Sequence, residues 1–152
     1  MIQVKNVTKK YGSFKAIDDI SFEVKDGEVV GFLGPNGAGK STTMNMITGY
    51  IDPTQGQIIV NGIDVGKRPR RAKKQIGYMP EAVPLYQELT VKEFVRYMAE
   101  LKLVKHKDIK AEVNKVLEEV GLKDVENKLI RNLSRGYKQR VGIAGALIGN
   151  PD

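Results

Sequence analysis

A glycine-rich turn between an apolar run and a helical pattern constrains this chain more than any other feature. The run, residues 28–33, reads EVVGFL and is short enough for a strand buried on both faces of a sheet. The turn carries glycine at positions 34, 37 and 39, and residues 40–48 then place apolar side chains at helical spacing before Gly49, which suits a helix end. A buried strand, a glycine turn and a helix in this order predict an α/β domain.

Residues 34–41 of this turn match the pattern Gly-x-x-x-x-Gly-Lys-Ser, which is typical of a phosphate-binding loop. Phosphate oxygens must approach backbone N–H groups closely, and only glycine leaves room, while the helix N-terminus adds the positive end of its dipole. We expect Lys40 to reach the β- and γ-phosphates, Ser41 to ligate Mg²⁺ and Thr42 to bind a nearer phosphate oxygen. The class stays open, because kinases, GTPases, motors and transporters all use this loop.

Composition excludes several kinds of site. The chain has 152 residues, of which 41% are hydrophobic and 28% charged, and this suits one globular domain. It has no cysteine and one histidine, His106, which excludes disulfides, thiolate metal sites, a cysteine nucleophile and any site with two imidazoles. No apolar run approaches the roughly 18 residues of a membrane span, and the N-terminus does not resemble a signal peptide. We therefore expect a soluble protein made in the cytosol, with His106 exposed between helices.

Strand patterns come first along the chain and helical patterns follow. Short strands are predicted within the first 30 residues, at 58–60 before the turn Asn61-Gly62, and at 76–79 before Pro80. Thr90 and Glu93 fit a capping box, after which apolar residues including Leu101 mark one helical face. Further helices are predicted over about 108–120 and from Ser134 to about residue 148. A parallel α/β domain with an inserted helical part fits this pattern.

The sequence resembles the ATP-binding-cassette (ABC) ATPases over essentially its whole length. The resemblance rests on the loop 34–43 (GPNGAGKSTT), on 10–12 (KYG), 56–62 (GQIIVNG), 76–80 (IGYMP) and 133–140 (LSRGYKQR), in this order and spacing. The subtype is similar to cytosolic subunits of exporters of the multidrug, ABC-2 or gliding kind. The resemblance implies a P-loop NTPase fold of ABC type, with a β-subdomain and parallel-sheet core over about 1–84 and a helical subdomain over about 85–152.

The resemblance also implies a role for each residue of a MgATP site. Tyr11 stands where the family stacks an aromatic ring on adenine, although a half-buried strand tyrosine is the alternative. Glu81 stands where the family usually has glutamine near Mg²⁺, although it fits an exposed loop carboxylate too. The implied ATP-binding residues are Tyr11, Gly34, Pro35, Asn36, Gly37, Ala38, Gly39, Lys40, Ser41 and Thr42, and the implied metal ligands are Ser41 and Glu81.

Residues 134–137 occupy the family's signature segment but depart from its usual wording. Ser134 and Gly136 are retained, whereas Arg135 replaces a glycine and Tyr137 a glutamine. In the family this helix start faces the γ-phosphate bound by a second subunit. The resemblance therefore implies a head-to-tail dimer of ABC subunits and permease partners near Glu81 and the helices after Thr90. It also implies a place on the cytoplasmic face of the cell membrane.

The family's catalytic groups are expected beyond this sequence. The resemblance implies a later strand that ends in a metal-binding Asp and a catalytic Glu, followed by a switch His. The sequence ends at Asp152, where that strand is about to begin, so no catalytic residue is present and the domain is incomplete at its C-terminus. We expect ATP binding without measurable hydrolysis from these residues. The alternatives are a nucleotide-binding module that never hydrolyses ATP, or a non-transport ABC ATPase that acts on ribosomes or DNA.

One short run accounts for most of the net charge of +7. Six cations stand within eight residues, at Lys67, Arg68, Arg70, Arg71, Lys73 and Lys74. A solvated face is expected, with contact to lipid headgroups or nucleic acid as alternatives. Nucleic acid is not an expected partner, because no aromatic residues are interleaved with the cations.

Overall fold

The computed structural model describes residues 1–151, so Asp152 and its place before the expected strand lie outside the described part. The chain forms two compact units, Met1–Gln75 and Ile76–Asp152. The division falls nine residues before the expected boundary near residue 84. Each unit has its own buried core.

The first unit is built on a four-stranded antiparallel sheet. Its strands are β1 (Ile2–Tyr11), β2 (Phe14–Val24), β3 (Gln55–Val60) and β4 (Ile63–Asp64), in the spatial order β2-β1-β3-β4. Two helices complete the unit, α1 (Lys40–Ile47) and α2 (Pro69–Lys74). The strands predicted near the N-terminus and at 58–60 are confirmed. Asn61 and Gly62 both have positive φ, as the tight turn between β3 and β4 requires.

Buried apolar residues of the strands and of α1 build the core of this unit. Val4 and Val7 of β1, Ile58 and Val60 of β3 and Met46 of α1 are buried. Helix α1 packs on β2 and β3, so the sheet supports the start of that helix. This support positions the glycine-rich loop that precedes α1.

The strands predicted at 28–33 and 76–79 are wrong. Neither segment forms a strand, and within the first segment Val29 is 100% and Leu33 92% exposed. A strand buried on both faces of a sheet needs a hydrogen-bonded neighbour along each edge, and no segment within 1–151 pairs with either one. The expected parallel core is therefore not formed by the described residues, whose only sheet is antiparallel.

The second unit is helical. It contains α3 (Val91–Leu101), α4 (His106–Glu119) and α5 (Arg135–Leu147), with 3₁₀ turns at Lys123–Val125 and Ile130–Asn132. Its core is formed by apolar residues of all three helices and of the turns, among them Phe94, Val95, Val113, Leu117, Ile130, Val141 and Ile148. The three predicted helices are confirmed, with ends shifted by one or two residues. Leu101 was expected on the buried face of α3, but it is 58% exposed. Ala99 is buried instead.

Contacts at the start of this unit explain why it includes residues 76–84. The ammonium of Lys102 donates a hydrogen bond to the carbonyl oxygen of Ile76 at 2.8 Å. A Cβ atom placed on Gly77 would lie 2.7 Å from the carbonyl oxygen of Ala146, so the backbone packs closely on the end of α5. Burial lowers the pKa of Lys102, against the opposing charge of Glu112. The segment is thus held by α3 and α5.

Candidate functional site

The loop before α1 has a backbone that only glycine tolerates at its last position. Gly39 precedes the helix in the left-handed conformation, with φ of 85°, and Gly37 has φ of 83°. A Cβ atom on Gly39 would lie 2.2 Å from Cδ1 of Ile17 and 2.9 Å from the carbonyl oxygen of Ala16. Strand β2 therefore presses directly on the start of α1, and the sheet holds the loop in place.

The start of α1 leaves its first backbone donors pointing out of the helix. Thr43 is buried, and both its N–H and its hydroxyl donate to the carbonyl oxygen of Gly39, at 2.8 and 3.0 Å. The N–H groups of Lys40, Ser41 and Thr42 come before this first helical hydrogen bond. No side chain among residues 1–151 caps this helix. The unsatisfied donors and the helix dipole together make an anion-binding position.

Lys40 places its charge over the same loop. Its ammonium donates to the carbonyl oxygens of Gly34 at 2.6 Å and Pro35 at 2.8 Å. The backbone N–H of Ala38 donates to the Pro35 oxygen as well, at 3.2 Å, which closes the turn. Asn36 and Ser41 are exposed. A positive charge, free N–H groups and an accessible hydroxyl thus gather around one turn of backbone.

Tyr11 lies at the hairpin end of the strand pair that supports this loop. It pairs with Phe14, and Lys9, two residues earlier, pairs with Ile17, the residue that contacts Gly39. Ile17 lies three positions after Phe14 in β2, which is about 10 Å of strand. The ring of Tyr11 is 51% exposed, and the ammonium of Lys9 lies 5.2 Å from its centroid. The ring is therefore available for stacking and already carries a cation–π contact.

Residues 134–137 begin α5 with a single weak cap. The hydroxyl of Ser134 accepts a hydrogen bond from the N–H of Tyr137 at 3.4 Å, the long end of the range. All four residues are exposed, and a Cβ atom on Gly136 would meet no described atom within 4 Å. The guanidinium of Arg140 lies 5.4 Å from the Tyr137 ring centroid. This helix start is thus open, with positive charge nearby from Arg135.

Glu81 is an exposed residue of the second unit, whereas Ser41 belongs to the first. A carboxylate and a hydroxyl are both hard oxygen ligands of the kind that Mg²⁺ prefers. No three His, Cys, Asp or Glu side chains within 1–151 are grouped to hold a metal by themselves. Each of these two oxygens thus suits Mg²⁺ by its own chemistry, and their use as ligands remains a proposal.

The sequence analysis missed an aromatic cluster formed by Tyr86, Phe94 and Tyr97. The rings of Tyr86 and Tyr97 meet edge to face with centroids 5.4 Å apart, and Tyr86 lies 6.3 Å from Phe94. Phe94 is buried, whereas both tyrosines are exposed. A hydrogen bond with Tyr86 raises the pKa of Tyr97. Phe94 and Tyr97 stand three residues apart on α3, so the sequence could have predicted that they lie near one side of the helix, but not that Tyr86 contacts both.

The family was established by a match that covers most of the chain. Residues 17–152 match the ABC transporter family. The chain belongs to this family. Its α/β fold class is confirmed by its likeness to solved ATP-binding cassettes of the family. The chain corresponds to a part of such a cassette.

Curated relatives in the family carry export, resistance and import names. The molybdate/tungstate import ATP-binding protein WtpC of Pyrococcus abyssi is 37% identical over 152 residues, which are all of this chain and 44% of that protein. The probable multidrug ABC transporter ATP-binding protein YbhF of Escherichia coli K12 is 38% identical over 152 residues, which are all of this chain and 26% of that protein. The bacitracin transport ATP-binding protein BcrA of Bacillus licheniformis is 41% identical over the same length, 49% of that protein. The chain therefore spans about a quarter to a half of these relatives.

Solved structures in the family superpose well on the chain. An ATP-binding subunit of an ABC transporter matches with a TM-score of 0.87 and 32% identity, over 99% of this chain and 63% of that one. A dimeric ATP-binding cassette with bound ADP and Pi matches with a TM-score of 0.83 and 30% identity, over 99% of this chain and 71% of that one. Among the helices within 1–151, none is long and apolar enough to cross a bilayer.

Proposed function

We propose that these residues bind MgATP as part of the ATPase subunit of an ABC exporter. The start of α1 carries the proposal, because Gly39 keeps the backbone close to β2 and leaves the N–H groups of Lys40, Ser41 and Thr42 before the first helical hydrogen bond. Membership of the ABC transporter family agrees with it.

Each residue of the site has a role that follows from its position. The backbone of residues 34–39 and the start of α1 hold the phosphates. The ammonium of Lys40 gives up its hydrogen bonds to the two carbonyl oxygens and pairs with phosphate oxygens instead. The hydroxyl of Ser41 would ligate Mg²⁺, and that of Thr42 would bond a phosphate oxygen. Tyr11 orients the adenine by stacking. Bound Mg²⁺ would neutralise phosphate charge, with Ser41 and Glu81 as its protein ligands.

A second copy of the chain completes the proposed site. The start of α5 is exposed at all four signature positions and is open at Gly136, which suits an anion presented by another molecule. A related cassette with bound ADP and Pi is itself dimeric. We propose that this chain forms a dimer too, arranged head to tail, with Arg135 adding positive charge beside the phosphate of the partner's nucleotide.

The proposed membrane partner is a permease that contacts the second unit. Tyr86 and Tyr97 form an exposed aromatic edge over the buried Phe94, and Tyr86 lies five residues after Glu81. Exposed tyrosines are typical anchors of protein interfaces. Export is favoured over import by the names of the multidrug and bacitracin relatives and not by their identity, since an import relative is 37% identical over the whole chain. The protein would then work at the cytoplasmic face of the membrane.

Hydrolysis is proposed for the whole protein, whereas residues 1–152 alone are proposed to bind ATP without turnover. The sequence up to Asp152 does not include the Asp-Glu pair and switch histidine that the family uses for hydrolysis. The expected result with the purified chain is bound radiolabelled ATP and no release of phosphate above background. Robust turnover would contradict this part of the proposal.

The nucleotide site is tested by replacing Lys40 with alanine. Calorimetry with MgATP suits the measurement, since the chain has no tryptophan to report binding by fluorescence. We expect affinity to fall at least about 100-fold, because a desolvated ammonium–phosphate contact is lost. The matched control is Lys25→Ala, which removes an exposed lysine in the same unit. If Lys40→Ala and Lys25→Ala bind MgATP equally well, the proposed site is wrong.

A further inference from the structure

Helix α2 carries a one-sided cationic surface. At about 100° per residue, Arg70, Arg71, Lys73 and Lys74 span an arc of about 160°, and Ala72 points in the opposite direction. The structure agrees with this geometry, because Ala72 is fully buried while the four cations are exposed. Lys67 and Arg68 extend the surface just before the helix and are exposed too. We call these six cations the α2 basic face.

Little acidic charge balances this face. Lys67 forms a salt bridge with Asp64 at 3.6 Å. Burial alone would raise the pKa of Asp64, but hydrogen bonds from the Lys67 backbone and from Gln57, with the charge of Lys67, lower it. None of the other five cations forms a salt bridge with any residue within 1–151. The face therefore presents about five positive charges without a salt-bridge partner, four of them on helix α2 and one at its N-cap, Arg68.

An exposed aromatic residue adjoins the α2 basic face, which the sequence pattern did not reveal. A Cβ atom on Gly49 would lie 3.3 Å from Cε of Lys73 and 3.0 Å from Cγ1 of Val65, so the end of α1 packs against α2. The next residue, Tyr50, is 79% exposed. Tyrosine beside lysine and arginine is typical of protein surfaces at the headgroup level of a bilayer.

We propose that the α2 basic face and Tyr50 bind the phosphate-bearing headgroups of an anionic lipid bilayer. The inference rests on the proposed function for the nearness of a membrane, and on the cations and Tyr50 for the contact itself. A bilayer fits better than a nucleic acid. One aromatic side chain beside the α2 basic face gives no series of stacking positions for successive bases, whereas it suits insertion among headgroups.

The test measures binding of the whole chain to vesicles by co-sedimentation at about 100 mM salt, near physiological screening. The vesicles contain phosphatidylcholine alone, or phosphatidylcholine with phosphatidylglycerol. We expect binding only to the anionic vesicles, and each cation removed should weaken it about fivefold. The variant R70Q/R71Q/K74Q should therefore bind about 100-fold more weakly. The matched control K105Q/K107Q/K110Q removes the same charge from exposed positions at the start of α4 and should bind as the wild type does.

Tyr50→Ser separates insertion from charge. It should weaken binding to anionic vesicles several-fold while leaving the salt dependence unchanged, because no cation is lost. Equal loss in both triple variants would mean that net charge alone attracts the chain and would overturn the proposal. Tighter binding to single-stranded RNA than to anionic vesicles, at equal phosphate concentration and salt, would overturn it in favour of a nucleic acid.

Two readouts separate this proposal from the proposed function. Thermal melting of each variant shows whether the fold persists, and a Tyr50→Phe variant keeps the ring if Tyr50→Ser melts early. MgATP affinity measured on the same samples should be unchanged in R70Q/R71Q/K74Q, whereas Lys40→Ala should lose nucleotide and keep vesicle binding. If the wild type binds MgATP but does not prefer anionic vesicles, only the proposed lipid contact is wrong. If it prefers anionic vesicles but does not bind MgATP, only the proposed nucleotide site is wrong.

Discussion

Helices α1 and α3 begin in opposite ways. At α3 the hydroxyl of Thr90 accepts from the N–H of Glu93 at 3.2 Å, and the carboxylate of Glu93 accepts from the N–H of Thr90 at 2.8 Å. At α1 the preceding residue is Gly39, in a left-handed conformation and without a side-chain cap from any described residue. In both helices the dipole has its positive end at the start, and the helical hydrogen bonds leave the first N–H groups unpaired. They differ in whether the chain itself satisfies those donors.

Helix α5 lies between these two cases. Ser134 caps it, but its single hydrogen bond to Tyr137 is 3.4 Å long, and the residue at the position of Glu93 is not acidic. The three helix starts thus form a series. The side chains of residues at the helix start pair with the first N–H groups in α3, pair weakly with them in α5 and leave them unpaired in α1. The series teaches that a helix start is available to an anion only where local side chains do not compete for its donors.

The largest effect is expected from Gly39→Ala, which would break the open helix start. Its Cβ would overlap Ile17, and φ of 85° is strained for alanine. Overpacking and the left-handed backbone together predict a loss of about 2–4 kcal/mol of unfolding free energy, with loss of MgATP binding. Urea unfolding and calorimetry measure the two effects.

The control for this change is Gly27→Ala. Gly27 has a similar φ of 77°, but a Cβ atom there would meet no described atom within 4 Å. We expect about 1 kcal/mol from the backbone alone and unchanged affinity for MgATP. Equal destabilisation by the two substitutions would show that the close approach of β2 to Gly39 does not matter.

A moderate effect is expected from Thr90→Ala, which opens the closed start of α3. Loss of the N-cap hydroxyl predicts about 1 kcal/mol lower unfolding free energy, by urea denaturation. Thr90→Ser keeps the hydroxyl and should behave almost as the wild type does. Ser134→Ala should cost about half as much or less, because its hydrogen bond is long. If Ser134→Ala proves the more costly of the two, the order of the three helix starts is wrong.

The smallest effect is a pH dependence of the α3 start. Hydrogen bonds from the N–H and hydroxyl of Thr90 hold the pKa of Glu93 below its ordinary value of 4.5. A carboxyl group with a lowered folded pKa stabilises the fold above its unfolded pKa and loses that contribution as pH falls through the folded pKa. We expect Glu93→Gln to flatten the acid side of the stability profile slightly. An NMR titration should show Glu93 ionising below pH 4.5, and a midpoint above that value would contradict the capping geometry.

Local features of the chain were readable from the sequence because neighbouring residues decide them. The capping box at Thr90 and Glu93, the helix end at Gly49 with φ of 67° and the turn Asn61-Gly62 all occur where they were predicted. In each case a backbone angle or a hydrogen bond within three residues sets the structure. The loop at 34–42 was predictable for the same reason, since its glycines and Lys40 lie within one turn.

Features that depend on distant residues were not readable. Residues 28–33 have the composition of a buried strand, yet Val29 is fully exposed because a strand forms only when another segment supplies its hydrogen bonds. Leu101 continues the apolar pattern of α3 but is exposed at the end of that helix. The ring contact of Tyr86 with Tyr97 joins a loop to a helix, and no period in the sequence predicts it.

The sequence by itself determined the glycine-rich loop, the helix starts and the family resemblance, because these depend on the order and spacing of adjacent residues. Only the tertiary structure decided which groups surround them. It placed β2 against Gly39, so close packing as well as the turn requires a glycine at this position. It also placed Tyr50 beside the α2 basic face, through the contact of Gly49 with Lys73. Packing brings together residues far apart in the chain, and local hydrogen bonds and backbone angles cannot specify which ones.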